Sequence, residues 1–246
     1  MTDITNLSTV NVAISNYIAV VTMNNPPVNA QNRQFHDDLT LAFDVLSDRN
    51  DVRSIVLTGA GKCFSAGADI KGRASQQSDL GDHWVHSRRV RECFYSIMEC
   101  RKPVIAAING AALGAGLAVA ASADILIASE SASVGLPEIN VGLLGGGRHA
   151  MRLFGHSKTR RLMLTGQRLS GAELYRLGAV EECVPDDDLM RAALEIAEEL
   201  ASKSPVAMSL AKETLNAIEE MALRDGYRYE QNKTVRSDIH LSLIHI

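Results

Sequence analysis

Residues Pro103–Ala123, PVIAAINGAALGAGLAVAASA, are 21 consecutive positions without a charge. That length would span a bilayer. The content argues otherwise: the run is rich in Ala and contains Asn109, Gly110, Gly114, Gly116 and Ser122, so it would gain little from lipid. It reads instead as a buried strand at Val104–Ile108, a tight Gly-containing turn, and a buried helix at Gly114–Ala121. Strands and helices that alternate this way make an α/β domain.

The flanks extend the pattern. Upstream, β-branched residues predict strands at Val10–Ser15 and Tyr17–Met23, split by Asn16 and ended by Asn24-Asn25-Pro26-Pro27. A helix is expected at about Arg33–Leu46, with Leu39, Phe43 and Leu46 on one face. Ser54–Thr58 is a wholly apolar strand stopped by Gly59-Ala60-Gly61, as suits a strand buried on both faces. The polar segment Lys71–Asp82 is expected as a mobile loop before a helix at His83–Cys100.

Downstream come a strand at Asp124–Ala128 and helices at Arg148–Phe154, Thr159–Leu164 and Ala172–Leu177, the last closed by Gly178. Val180–Val184 is a final strand, followed by helices at Asp187–Ala201 and Pro205–Leu223. Ser204 is the N-cap of the second and Pro205 its first residue. With no linker, repeat or low-complexity tract, the chain divides into an α/β core over 1–185 and a C-terminal helical region over 186–246.

Composition bounds the function. The 246 residues are 46% hydrophobic, which excludes a disordered chain. Lys and Arg number 25 against 29 Asp and Glu, and the resulting pI near 6.0 argues against a nucleic-acid partner. Cys63, Cys93, Cys100 and Cys183 have no metal-ligand spacing and read as reduced thiols; Cys93 and Cys100, seven apart, share one helix face. The first residues show no signal or transit pattern, so a cytoplasmic protein is expected, with no metal and no membrane partner.

Familiar motifs fail. In SIVLTGAGKCFS, Ser54–Ser65, Lys62 precedes Cys63 where a phosphate loop needs Ser or Thr. Gly114-Ala115-Gly116 opens a helix like a dinucleotide fingerprint, but Val119 fills the third glycine position. What remains is backbone and one acid. The small residues of Cys63–Lys71 let a ligand approach the main chain, and Ala115 falls in the first turn of a helix, where N–H groups lack intrahelical partners. Two such groups aimed at one oxygen make an oxyanion hole. Leu136-Pro137-Glu138-Ile139 sets a carboxylate between apolar residues, a setting that raises its pKa. Singly, each piece reads as packing or as a surface carboxylate.

Together they resemble the crotonase (enoyl-CoA hydratase/isomerase) superfamily over nearly the whole chain. The resemblance rests on Asn25-Pro26-Pro27-Val28-Asn29-Ala30, Ser65-Ala66-Gly67-Ala68-Asp69-Ile70-Lys71, Lys102–Gly110 and Ala112-Leu113-Gly114-Ala115-Gly116. Asp124-Ile125, Pro137-Glu138-Ile139, Leu164-Thr165-Gly166 and Gly178…Val184-Pro185 follow in the family's order. It implies a ClpP/crotonase-like spiral of ββα units, a C-terminal helical trimerisation region, and a homotrimer or a hexamer of paired trimers. It implies an acyl-CoA substrate with its thioester carbonyl between the N–H groups of Ala68 and Ala115, and adenine held by main chain near Ala66, Ala68 and Ile70. Val28, Gly67, Asp69, Lys71, Gly114 and Pro137 complete the implied substrate contacts. Glu138 is the implied acid/base, and coenzyme A enters only as part of the substrate, with no separate cofactor.

The departures sharpen the chemistry. Hydratases of this kind carry two glutamates; Glu138 matches one and Ala118 stands at the other, while Gly146 stands where dienoyl isomerases carry a second acid. Hydration of a 2-enoyl-CoA in fatty-acid or related acyl-CoA degradation is the implied reaction. Δ3,Δ2-isomerisation, decarboxylation or hydrolysis are the alternatives, with a non-catalytic or RNA-binding relative as the outlier. Glu92, His83, His86 and Trp84, after the loop, are candidates for a second polar group. The turn Gly142–Arg148 lacks the proline of many relatives, and the end Ser237–Ile246 is apolar without a helical pattern, as a truncated terminus would be.

Overall fold

The computed structural model of the chain describes residues 4–70, 72 and 79–244. Strands β1 (Val10–Ser15) and β2 (Ile18–Met23) form a hairpin whose two-residue turn, Asn16-Tyr17, has φ of 51° and 64°. Both signs suit the tight turn that matches strand twist. β2 then pairs in parallel with β3 (Ser54–Gly59), which pairs with β5 (Val104–Ile108), then β7 (Ile125–Ser129) and β10 (Glu182–Val184).

All six positions of β3 are buried, as its unbroken apolar run requires. Alternate residues face two cores. Val56, Ile105, Ala107 and Ile127 pack under Leu189, Ala192, Ala193 and Ala197 of the helix Leu189–Ala201. Ile55, Leu57, Ala106, Ile108 and Ala128 face the larger core, with Phe35, Leu39 and Phe43 of α1 (Arg33–Asp48) and Phe94 and Ile97 of α2 (Leu80–Met98).

The second strand of each ββα unit, implied by the resemblance but not by the residue pattern, is very short, and these strands form a second sheet. Its order is β4 (Cys63–Ser65), β6 (Ala111–Leu113), β8 (Ser133–Gly135), β9 (Arg168–Ser170). β3 leads to β4, β5 to β6 and β7 to β8, so each pass leaves one strand in each sheet. α2 and α3 (Ala115–Ala121) close the first two passes. This is a spiral of ββα units.

Some boundaries move for local reasons. Asp79 caps α2, its carboxylate accepting from the Asp82 N–H at 2.9 Å, so the helix starts at Leu80, within the expected loop. α2 ends at Met98, which puts Cys100 beyond the helix, though it is buried with Cys93. Burial pushes the Cys93 thiol up to about 12. The region of Lys71 and the rest of the expected loop to Ser78 is outside the described residues, apart from Gly72.

α4 (Gly147–Leu153), α5 (His156–Thr165) and α6 (Gly171–Arg176) follow, then α7 (Leu189–Ala201) and α8 (Pro205–Ile218). Ser204 caps α8, as expected, but the helix stops at Ile218 and a separate α9 runs from Leu223 to Ile244. α9 carries charge around much of its circumference and has only Gly226 buried among its described side chains, so no apolar stripe announces it. Lys212 pins α8 to the core: its ammonium pairs with Asp124 at 2.8 Å and donates to the Ile97 and Lys102 carbonyls, each at 3.1 Å. Among the described residues no helix is long and apolar enough to cross a membrane; Pro103–Ala123 is divided among β5, β6 and α3.

Candidate active site

The second sheet brings the ends of β4, β6 and β8 to a cavity of about 500 Å³. One wall is the segment after β4. There Gln31 and Ala68 form an isolated parallel bridge, in which the Gln31 N–H donates to the Gly67 carbonyl (2.8 Å) and the Asp69 N–H to the Gln31 carbonyl (3.1 Å). That pattern uses the groups on either side of Ala68 and turns its own N–H away from Gln31. Gly67 has φ of 90°, and a Cβ there would overlap the Leu113 carbonyl and come within 3.3 Å of the Ala115 nitrogen. Only glycine lets this segment lie against the start of α3.

Ala115 is the first residue of α3, so its N–H has no intrahelical acceptor. Ala68 and Ala115 both line the cavity. Ser65 fixes the approach: its hydroxyl donates to the Asn29 carbonyl (2.8 Å) and accepts from Gln31 Nε2 (3.2 Å) and the Gly67 N–H (3.3 Å).

Glu138 comes from the opposite side, on a 3-10 turn at Pro137–Val141 whose first residue is Pro137. Its carbonyl accepts from the Leu143 N–H at 3.0 Å, which fixes the turn beside α3. Gly114, with φ of 55°, lies against the carboxylate so closely that a Cβ would overlap Oε1. Oε2 is buried and has no hydrogen-bond partner among the described residues. Burial pushes this carboxyl above its ordinary range, against a smaller opposing effect of its own backbone N–H. Ala118 is a buried methyl in the same wall, and Glu138 is the only carboxylate among the described lining residues.

The match to known proteins covers this whole arrangement: residues 13–240 match the enoyl-CoA hydratase/isomerase family. The chain belongs to that family. This hydratase/isomerase-family chain is 37% identical over 218 residues to a probable mitochondrial enoyl-CoA hydratase of Dictyostelium discoideum, covering 87% of this chain and 77% of that protein. It is 36% identical to a (7aS)-7a-methyl-1,5-dioxo-2,3,5,6,7,7a-hexahydro-1H-indene-carboxyl-CoA hydrolase of Mycobacterium tuberculosis, over 88% and 87% of the two chains. The crystal structure of an enoyl-CoA hydratase from Bacillus anthracis superposes with a TM-score of 0.87 at 31% identity, over 97% of this chain and 92% of that one. The crotonase fold and the acyl-CoA enzyme class expected from the sequence are thereby shown.

Of the residues expected at the site, Ala66, Ala68, Ile70, Gly114, Ala115, Pro137 and Glu138 line the cavity together. Gly67 is buried just behind it. Val28 is exposed and contributes through its carbonyl, which accepts from the Ala66 N–H at 2.9 Å. Asp69 lines an adjoining polar cavity with Arg33, Asp37 and Arg89 and accepts from the Gly72 N–H at 2.9 Å. Lys71 lies outside the described residues.

His86 reaches the cavity; Trp84 is 71% exposed, and neither His83 nor Glu92 lines it. The sequence reading missed His36, Val90 and Phe94. His36 carried a readable signal, because it lies three residues before Leu39 and seven before Phe43, on the apolar face of α1. Among the described residues no cluster of His, Cys, Asp and Glu could hold a metal ion.

Proposed function

We propose that this protein hydrates a 2-enoyl-CoA with Glu138 as its single acid/base and the Ala68 and Ala115 N–H groups as its oxyanion hole. The observation that carries this reading is the convergence of two uncommitted backbone donors and one half-buried carboxylate on a single cavity. Ionised Glu138 takes a proton from water as the water oxygen bonds to C3. The C2–C3 π electrons shift toward the thioester oxygen, and the enolate that forms is held by the two N–H groups. Collapse of the enolate draws the proton from Glu138 onto C2, and the second water proton stays on the new hydroxyl.

Each donor is worth about 3–4 kcal/mol in the transition state, and the acid/base about 10²–10⁴-fold in rate. A carboxyl raised by burial suits both halves of the cycle, being a stronger base and still able to return the proton. Main-chain groups at Ala66, Ala68 and Ile70 are the proposed contacts for the adenine end, with Val28, Gly67, Asp69, Lys71, Gly114 and Pro137 around the rest of the substrate. No cofactor beyond the coenzyme A of the substrate enters the reaction.

A second reading has its own observation: Ala118 leaves one carboxylate, and one carboxylate is all that Δ3,Δ2-isomerisation needs, taking a proton from C2 and returning it at C4. NMR of a trans-2-enoyl-CoA with the protein in D₂O separates the two. A 3-hydroxyacyl product supports hydration. Deuterium at C2 or C4 with a 3-enoyl product supports isomerisation, and an unchanged spectrum from folded protein overturns both, in favour of decarboxylation or hydrolysis. Assembly as a homotrimer or hexamer, a role in acyl-CoA degradation and a cytoplasmic location belong to the same proposal. Mass measurement in solution, metabolite profiling of a deletion strain and cell fractionation test them.

A further inference from the structure

We propose that the acyl pocket is built for an acyl group bearing an oxygen, hydroxyl or carbonyl, beyond its reacting double bond, with His36 as the hydrogen-bonding partner of that oxygen. This rests on the acyl-CoA reading of the same cavity. His36 is 1% exposed and lines the cavity, yet neither ring nitrogen has a hydrogen-bond partner among the described residues. Polar groups beside it on α1 are satisfied. Asp38 accepts from the Thr9 N–H (2.9 Å), the Thr9 hydroxyl (2.8 Å) and Gln34 Nε2 (2.8 Å), and the Thr40 hydroxyl donates to the His36 carbonyl (2.7 Å). The lack of a partner is therefore local to the imidazole that meets the pocket.

Burial first, then the nearby His86 and Arg89, lowers the pKa of His36 to about 4. The ring is thus neutral in ordinary buffers and offers one N–H donor and one nitrogen acceptor. So weak a base has no place in the proton transfers assigned to Glu138. The same cavity is lined by one other imidazole, His86, and by the apolar Val90 and Phe94 of α2, Ala118 of α3, and Ile70. The His86 ring stands edge-on to His36 at 6.0 Å between centroids. His36 belongs to the wall made by α1 and α2, whereas Ala115 and Glu138 come from α3 and the Pro137–Val141 turn. Both ring nitrogens are closed to solvent, so the imidazole carries the penalty of a buried polar group without a partner, worth about tenfold to a hundredfold in an equilibrium constant, and an unbranched hydrocarbon chain leaves that penalty in place. An oxygen on the chain removes that penalty.

The test is steady-state kcat/KM for trans-2-octenoyl-CoA against its 5-, 6- and 7-hydroxy and 5-, 6- and 7-oxo derivatives, with wild type, His36→Leu and His36→Gln. In wild type at least one oxygenated substrate should exceed the plain one by tenfold or more, chiefly through KM. His36→Leu should bring that ratio within twofold of one, with folding checked by thermal melting, and His36→Gln should keep part of the preference. A hydroxyl fits either ring nitrogen, whereas a carbonyl fits only the N–H, so the favoured derivative identifies which face of the ring is used. Calorimetric binding of the saturated counterparts makes the same comparison without turnover. Preference in binding with no hydration sinks the reaction reading and keeps this one. Turnover without preference, or a preference untouched in both folded His36 variants, overturns it.

Discussion

Glu138 and the glycine beneath it carry the first two predictions. Glu138→Gln removes the acid/base and should lower kcat by about 10²–10⁴-fold while a saturated acyl-CoA still binds, as single-turnover rates and calorimetry would show. Its pH dependence has a definite sign. The folded-state pKa is raised by burial above the ordinary 4.5, so the folded protein favours the protonated carboxyl. The native state therefore loses stability as pH rises from the ordinary value through the raised one. Glu138→Gln should melt higher than wild type at neutral pH, and the difference should vanish once the pH is below 4.5. Activity runs the other way and falls as pH drops through the raised pKa, because hydration starts from the ionised form. Gly114→Ala forces a Cβ into Oε1 and should cost about 10²-fold in kcat by misplacing the carboxylate. Gly61→Ala imposes a similar left-handed strain, at φ of 71°, with nothing within 4 Å, and should leave kcat unchanged. Equal losses in the two variants would mean that strain, and not the carboxylate, is what Gly114 relieves.

At the scale of elements, the pair between buried Lys212 and the partly exposed Asp124 decides whether the C-terminal helices stay on the core. Lys212→Met removes an ion pair and two carbonyl hydrogen bonds. The expected loss is about 2–4 kcal/mol, at or below the usual cost for a fully buried pair, because the Asp124 side chain keeps 25% of its surface in solvent. Urea unfolding would measure it, and a change below about 1 kcal/mol would show that apolar packing alone docks α8. What the sequence revealed follows the same scale. β3, β5 and α3 were legible because each is an uninterrupted apolar run, and α7 and α8 because they present apolar stripes. The second sheet was not, since three-residue strands such as Ala111–Leu113 and Ser133–Gly135 are too short for a period of two to register. Ala68 and Ala115 entered through family resemblance and helix-terminus physics. His36 escaped because a polar residue at a buried helical position reads as an interruption until the cavity beside it is known.

Across the whole molecule, the spiral leaves its last two helices and the rim of the site with apolar side chains facing outward. Leu223 is 90% exposed, and Leu215, Tyr227 and Val235 more than half exposed, on α8 and α9. Leu144 and Val141, beside Glu138, and Leu164 of α5 are also open. Self-association through these surfaces would bury those large apolar groups. The regions are tied together: Arg152 of α4 pairs with Glu219 after α8 at 3.0 Å and donates to the Ala121 carbonyl at the end of α3 at 2.6 Å. An interface on α8 and α9 would therefore brace the helix whose first N–H serves the oxyanion hole. Leu223→Lys with Tyr227→Glu should convert the proposed trimer, near three times 26.6 kDa, into monomers, by light scattering on a sizing column. Activity per chain should fall when wild type is diluted below its dissociation constant and should be low and independent of concentration in the monomeric variant, because only an association equilibrium makes the folded site concentration-dependent. A wild type that elutes at 26.6 kDa with full activity would mean that α9 serves the single chain alone.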